Sequence, residues 1–64
     1  MSREILKNAR KKKNMTQQAV AKHVGISLRY YQKLESGDRK GDVKIWDGLE
    51  DLFSVHQREL RVSS

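Results

Sequence analysis

The 64-residue sequence has no cysteine, no proline, and four aromatic residues: Tyr30, Tyr31, Trp46 and Phe53. Without thiols there is neither a disulfide framework nor a thiolate metal site. The longest apolar run is three residues, Ala19-Val20-Ala21, against the roughly 18 or more that a membrane-spanning helix needs. Ile5-Leu6 is too short for the apolar region of a secretory signal. These absences predict a cytoplasmic protein that does not enter a membrane. Sustained period-2 alternation is missing, so strands are not expected. Neither a phosphate-binding G-x-x-x-x-G-K-[ST] loop nor a G-x-S-x-G elbow occurs. His23 and His56 lack metal-ligand spacing with Asp, Glu or Cys. No catalysis, metal or cofactor is therefore implied.

Charge and punctuation are what the sequence does have. Its net charge is +6. Residues 1–40 hold 11 Lys and Arg against 3 acids, whereas residues 41–64 hold 3 against 5. Segregation of this kind predicts one basic face, which concentrates a polyanion near it. A chain this short buries only about 60% of the surface its unfolded form exposes. Residues 1–64 are thus read as a single domain.

Capping residues divide the chain into five helices. Ser2 is expected to cap the first, with Glu4 in its first turn and Lys11-Lys12-Lys13 at its end, both suited to the helix dipole. Asn14 fits a left-handed stop. Thr16 caps a second helix over Gln17–Val24, which Gly25 ends. Ser27 caps a third, Leu28–Ser36, which Gly37 ends. Asp42 caps a fourth, Val43–Phe53, whose Ile45, Trp46, Leu49, Leu52 and Phe53 make a broad apolar stripe. Ser54-Val55-His56-Gln57 fits a capping box for a short fifth helix ending near Arg61. Gly48 inside helix four costs about 1 kcal/mol relative to Ala and is read as an exposed, mildly unfavourable residue. The expected fold is all-α and compact.

Residues 17–37 carry the functional signal. Two helices meet at a tight turn on Gly25, with the small Ala21 four positions before it. Steep, close helix crossings need a small side chain at the contact, and this is the geometry of a helix-turn-helix. On a helical wheel Tyr30, Tyr31 and Leu34 form the core side of helix three. Arg29, Gln32, Lys33 and Ser36 lie opposite, with Leu28 at the edge. Arg and Lys suit guanine O6/N7, Gln suits adenine, and Leu can meet a thymine methyl.

From about Arg3 to Leu60 the sequence resembles the Cro/phage-repressor (XRE) helix-turn-helix family, with its lambda-repressor-like fold. The resemblance rests on five stretches. They are Leu6-x-x-Ala9-Arg10; Met15-Thr16-Gln17-Gln18; Val20-Ala21-x-x-Val24-Gly25-Ile26-Ser27; Leu34-Glu35-Ser36-Gly37; and Trp46-x-x-Leu49-x-x-x-Phe53-x-Val55. It implies a DNA-binding repressor. It also implies base contacts from Leu28, Arg29, Gln32 and Lys33, and phosphate contacts from Gln17, Ser27, Ser36, Arg39 and Lys40. Three positions depart from the family pattern. Tyr31 replaces a branched aliphatic, Asn14 a frequent glycine, and Gly41 a common proline, which predicts a looser loop there.

Glu35 sits near the C-terminal end of helix three, where the dipole disfavours an anion, at the edge of the core side. Arg10 lies at an apolar edge of helix one. An Arg10–Glu35 ion pair is expected, as the resemblance also implies. One short helix reads few bases, so a homodimer on a pseudo-palindromic double-stranded site is expected. Its contact is placed around Gln57, Leu60 and Val62. The alternative is an antitoxin or interaction module whose acidic C-terminal third meets a partner protein. RNA is disfavoured because both tyrosines face the core, leaving no stacking platform.

Overall fold

The computed structural model describes residues 2–62. Among them the order is α1 (Glu4–Lys12), α2 (Gln17–Val24), α3 (Leu28–Ser36), α4 (Val43–Phe53) and α5 (Gln57–Leu60), with no strand. Three helices begin on the expected side-chain caps. Thr16 accepts from the Ala19 amide, Ser27 from the Tyr30 amide and Asp42 from the Ile45 amide, at 3.0, 3.1 and 3.0 Å. Each satisfies an amide that the first helical turn leaves without a partner. Asn14 takes the left-handed conformation after α1, at φ 55°.

The core joins all five helices. Leu6, Val20, Tyr31, Leu34, Trp46, Leu49 and Leu60 are closed to solvent, and Ala9, Ala21, Ile45 and Phe53 complete the cluster. Helix α3 packs on α2 and α1, α4 on α2 and α5, and α5 on α1. Tyr31 fits because its hydroxyl reaches Glu35, at 2.6 Å, so its phenol is buried with a polar partner.

Several local expectations give way to tertiary contacts. Ser2 does not cap α1. Arg3 stands at that position with no side-chain cap bond, and its own amide donates to Glu35 O across the fold at 2.7 Å. Ser2 Oγ instead donates to Glu4. Ser54 does not open α5; it closes α4 in the left-handed conformation at φ 57°. His56 caps α5, its Nδ1 accepting from the Arg58 amide at 3.1 Å. Gln57 Nε2 then donates to Asp47 Oδ1 and Glu50 Oε1, at 2.7 and 3.0 Å, tying α5 to α4.

Gly48 is not an exposed residue. It is half-buried, and a Cβ there would lie 3.2 Å from Val24 Cγ1, so α4 crosses α2 too closely for a larger side chain without repacking. Leu60 is closed to solvent and belongs to the core, which removes it from the expected dimer contact; Val62 remains half-exposed beside it in sequence. At Gly41 the glycine answers a conformational and steric need. Gly41 has φ 72°, and a Cβ there would stand 2.7 Å from Trp46 Nε1. Proline, locked near φ −65°, is incompatible with this backbone.

Candidate nucleic-acid interface

The α2–α3 turn follows from two local features. Gly25 adopts φ 78°, a region L side chains rarely enter. The Ile26 amide donates back to Ala21 O at 2.9 Å, closing the end of α2. Nothing lies within 4 Å of a Cβ built on Gly25, so the glycine serves conformation rather than space. Ala21 is 2% exposed, as a close helix crossing requires.

Helix α3 is divided sharply by exposure. Tyr31, Leu34 and Glu35 are buried, and Tyr30 is half-buried against the core. Arg29, Gln32 and Ser36 are exposed, and Leu28 is 38% exposed despite its apolar side chain. Lys33 is half-buried rather than fully outward. Ser27 lies at the start of this face, and Arg39 and Lys40 follow its end, all three exposed. Among the described residues the only ion pair is Arg10–Glu35, so the cations of Arg29, Lys33, Arg39 and Lys40 are not neutralised by a paired carboxylate. That is the electrostatic condition for attracting a polyanion.

A hydrogen-bond chain links this face to the core. Gln32 Nε2 donates to Gln17 Oε1 at 3.3 Å, and Gln17 Nε2 donates to Glu35 Oε1 at 3.1 Å. Glu35 Oε2 accepts from Arg10 Nε at 2.7 Å and from the Tyr31 hydroxyl. Arg10 also donates to Met15 O at 3.0 Å, beside the start of α2. Three helices therefore meet on one carboxylate. Burial by itself raises the Glu35 pKa; hydrogen bonds from Arg10, Tyr31 and Gln17 outweigh it and hold the carboxyl below its ordinary value. The same bond to Glu35 raises the Arg10 pKa against the opposing effect of burial. Burial, then proximity to Glu35, pushes the Tyr31 phenol well above its usual range. Glu35 is thus ionised and Tyr31 neutral near neutral pH. A polar cleft of about 350 Å³ opens beside the chain, bordered by Lys7, Gln17, Gln32 and Ser36.

Ser36 Oγ lies within hydrogen-bond reach of Lys33 O and Asp38 Oδ2, at 3.0 and 3.1 Å. Its single proton is used locally in the free protein. Sequence reasoning missed two features. One is the Gln17–Glu35 bond, which joins residues 18 positions apart and has no local signature. The other is Arg3, which is 6% exposed and donates to carbonyls at the end of α3, in the following loop and after α5. Only its place beside the buried Trp46 explains it, and that contact is invisible in sequence. Burial, together with the nearby Arg61 charge, lowers the Arg3 pKa.

A helix-turn-helix family model matches residues 6–60. No curated protein and no solved structure matches the chain significantly. The matched span runs from the first buried leucine of α1 to the last of α5 and includes the whole exposed α3 face. No helix among the described residues is long and apolar enough to cross a membrane. With this match, and with five helices on one core and an exposed cationic face on α3 among the described residues, the chain belongs to the XRE, lambda-repressor-type helix-turn-helix family of DNA-binding transcription regulators.

Proposed function

We propose that this regulator is a cytoplasmic repressor that occupies a specific double-stranded operator and blocks polymerase access. Leu28, Arg29, Gln32 and Lys33 read bases in the major groove. Gln17, Ser27, Ser36, Arg39 and Lys40 hold the phosphates on either side. The observation that carries this reading is the exposed α3 face, on which unpaired Arg29 stands in the first helical turn beside exposed Leu28 and Gln32. That end of a recognition helix enters the groove deepest in this motif. The Gln32–Gln17 bond supports a shared role, since it couples a base-reading position to a phosphate-holding one.

The protein acts as a homodimer on a pseudo-palindrome, with half-sites about 10–10.5 bp apart. The contact lies around Gln57 and Val62, without Leu60. Selection from random duplexes tests both parts. A consensus with two-fold symmetry, bound by two chains in ultracentrifugation, is the expected result. A single unrepeated half bound by one chain refutes the dimer. Equal affinity for a selected duplex and an RNA of the same sequence, at one salt concentration, refutes the operator reading.

A further inference from the structure

Arg3 is a buried cation with no carboxylate partner among the described residues. Its guanidinium lies over the Trp46 ring, 5.2 Å from the centroid. Its Nη1 donates to Leu34 O at 2.5 Å and Arg39 O at 2.7 Å, and its Nε to Arg61 O at 3.1 Å. Trp46, 1% exposed, donates its indole N–H to Lys40 O at 2.7 Å. Gly41 then lies against the same indole, with no room for a Cβ. Three consecutive residues in the loop after α3 are therefore held from inside the fold: Arg39 and Lys40 by bonds to their carbonyls, Gly41 by its close approach to the indole. The side chains of Arg39 and Lys40 remain exposed and unpaired. A carbonyl occupied by a buried donor is turned away from any anion outside, while the cations on the same residues stay open to solvent.

We propose that Arg3 and Trp46 are positioning residues that set the shape of residues 39–41 before DNA arrives, so that Arg39 and Lys40 meet phosphate without the cost of ordering their backbone. The proposal rests on the reading of those two cations as phosphate contacts. Ordering loops and long side chains on binding reduces affinity, and a loop already held avoids part of that loss. Phosphate contacts carry no direct sequence information. The clamp therefore raises affinity for all duplexes by a common factor and leaves base preference unchanged.

The test uses Trp46→Phe, which keeps a six-membered aromatic ring in the core and removes the donor together with the pyrrole ring that carries it. Gly41→Ala is the second variant; it forces the loop off the indole and keeps the only tryptophan as a fluorescent reporter. Each is made in the native chain and in an Arg39→Ala/Lys40→Ala background. Affinity is read by anisotropy on a labelled random-sequence duplex and on a selected duplex, over a salt series. Amide exchange at residues 39–42 and thermal unfolding are measured alongside. In the native background both variants are expected to speed amide exchange in the loop and weaken both duplexes equally, by about three- to tenfold. Gly41→Ala should also shift tryptophan emission to the red. In the background lacking the two cations, the effect on affinity should vanish. Unchanged affinity in the native background overturns the proposal, as does the same loss in both backgrounds, which would reflect general destabilisation. If removing Arg39 and Lys40 changes neither affinity nor salt slope, the phosphate reading itself has failed and the positioning role falls with it; faster loop exchange would then mark a purely structural clamp.

Discussion

Replacing Glu35 tests the energetic centre of the molecule. The carboxylate is 6% exposed and its partner Arg10 13% exposed, so solvent screens the pair little. Removing one member of a buried pair costs ~3–5 kcal/mol. Arg10 keeps its bond to Met15 O, but the buried Tyr31 hydroxyl loses its acceptor, which places Glu35→Ala inside that range, at ~3–5 kcal/mol. A 64-residue chain has a total stability of about 3–10 kcal/mol, so this variant can lose most of its folded population. Glu35→Gln keeps the shape and one acceptor oxygen and should cost about 1.5–3 kcal/mol. Urea unfolding followed by Trp46 fluorescence and far-ultraviolet circular dichroism gives both values. The pH dependence is the sharper check. The folded pKa of Glu35 lies below its ordinary 4.5. Its stabilising effect is therefore fully present above 4.5 and is lost as pH falls through the lower folded value. The difference between wild type and Glu35→Gln should be constant at neutral pH and close at acid pH. A cost under about 1 kcal/mol for Glu35→Ala at pH 7, as for a solvated surface pair, refutes the reasoning. So does a Glu35→Gln difference that persists unchanged to the lowest pH at which both chains fold.

Other outcomes follow from the same geometry. Arg29→Ala should lose ~1–3 kcal/mol on the selected site and relax preference at one base pair in each half-site; an equal loss on scrambled duplexes would make Arg29 a phosphate clamp. Lys40→Ala should weaken all duplexes alike and lower the salt slope by about one unit per monomer, as read from affinities across a salt series. Leu60→Ala, at a position closed to solvent, should destabilise the monomer by about 2–5 kcal/mol in urea titration. Val62→Ala should leave monomer stability nearly unchanged and weaken pairing on the operator in ultracentrifugation. Gly48→Ala should be close to neutral in thermal melts. The gain in helix propensity of about 1 kcal/mol is offset by the contact with Val24 Cγ1 at 3.2 Å, and pairing it with Val24→Ala should recover that gain relative to Val24→Ala alone.

The helical frame was legible in the sequence because its determinants act over three or four residues. Thr16, Ser27 and Asp42 each cap an amide three positions ahead, and left-handed stops stand directly after α2 at Gly25 and two residues after α1 at Asn14. Once those bounds are known, helical periodicity alone orients α3, placing Tyr31 and Leu34 inward and Arg29 and Gln32 outward. Of the contacts between residues far apart in sequence, the Arg10–Glu35 pair, 25 positions apart, was expected and is present; the tertiary structure decided the others. Ser2 and Ser54 both satisfied local capping patterns, yet the α1 start is set by the bond from Arg3 N to Glu35 O, and Ser54 closes α4 instead. Gly48 is a weak helix former by propensity, and it is tightly packed only because α4 meets Val24. Leu60 lies in so short a helix that periodicity does not mark it, and it is buried because α5 packs on α1 and α4. Arg3 gave no signal at all, since its partners lie 31 to 58 residues away and are backbone carbonyls, which every residue possesses. Local hydrogen bonds are written in residue identity; a carbonyl becomes a specific ligand only when the whole chain has brought it to one place.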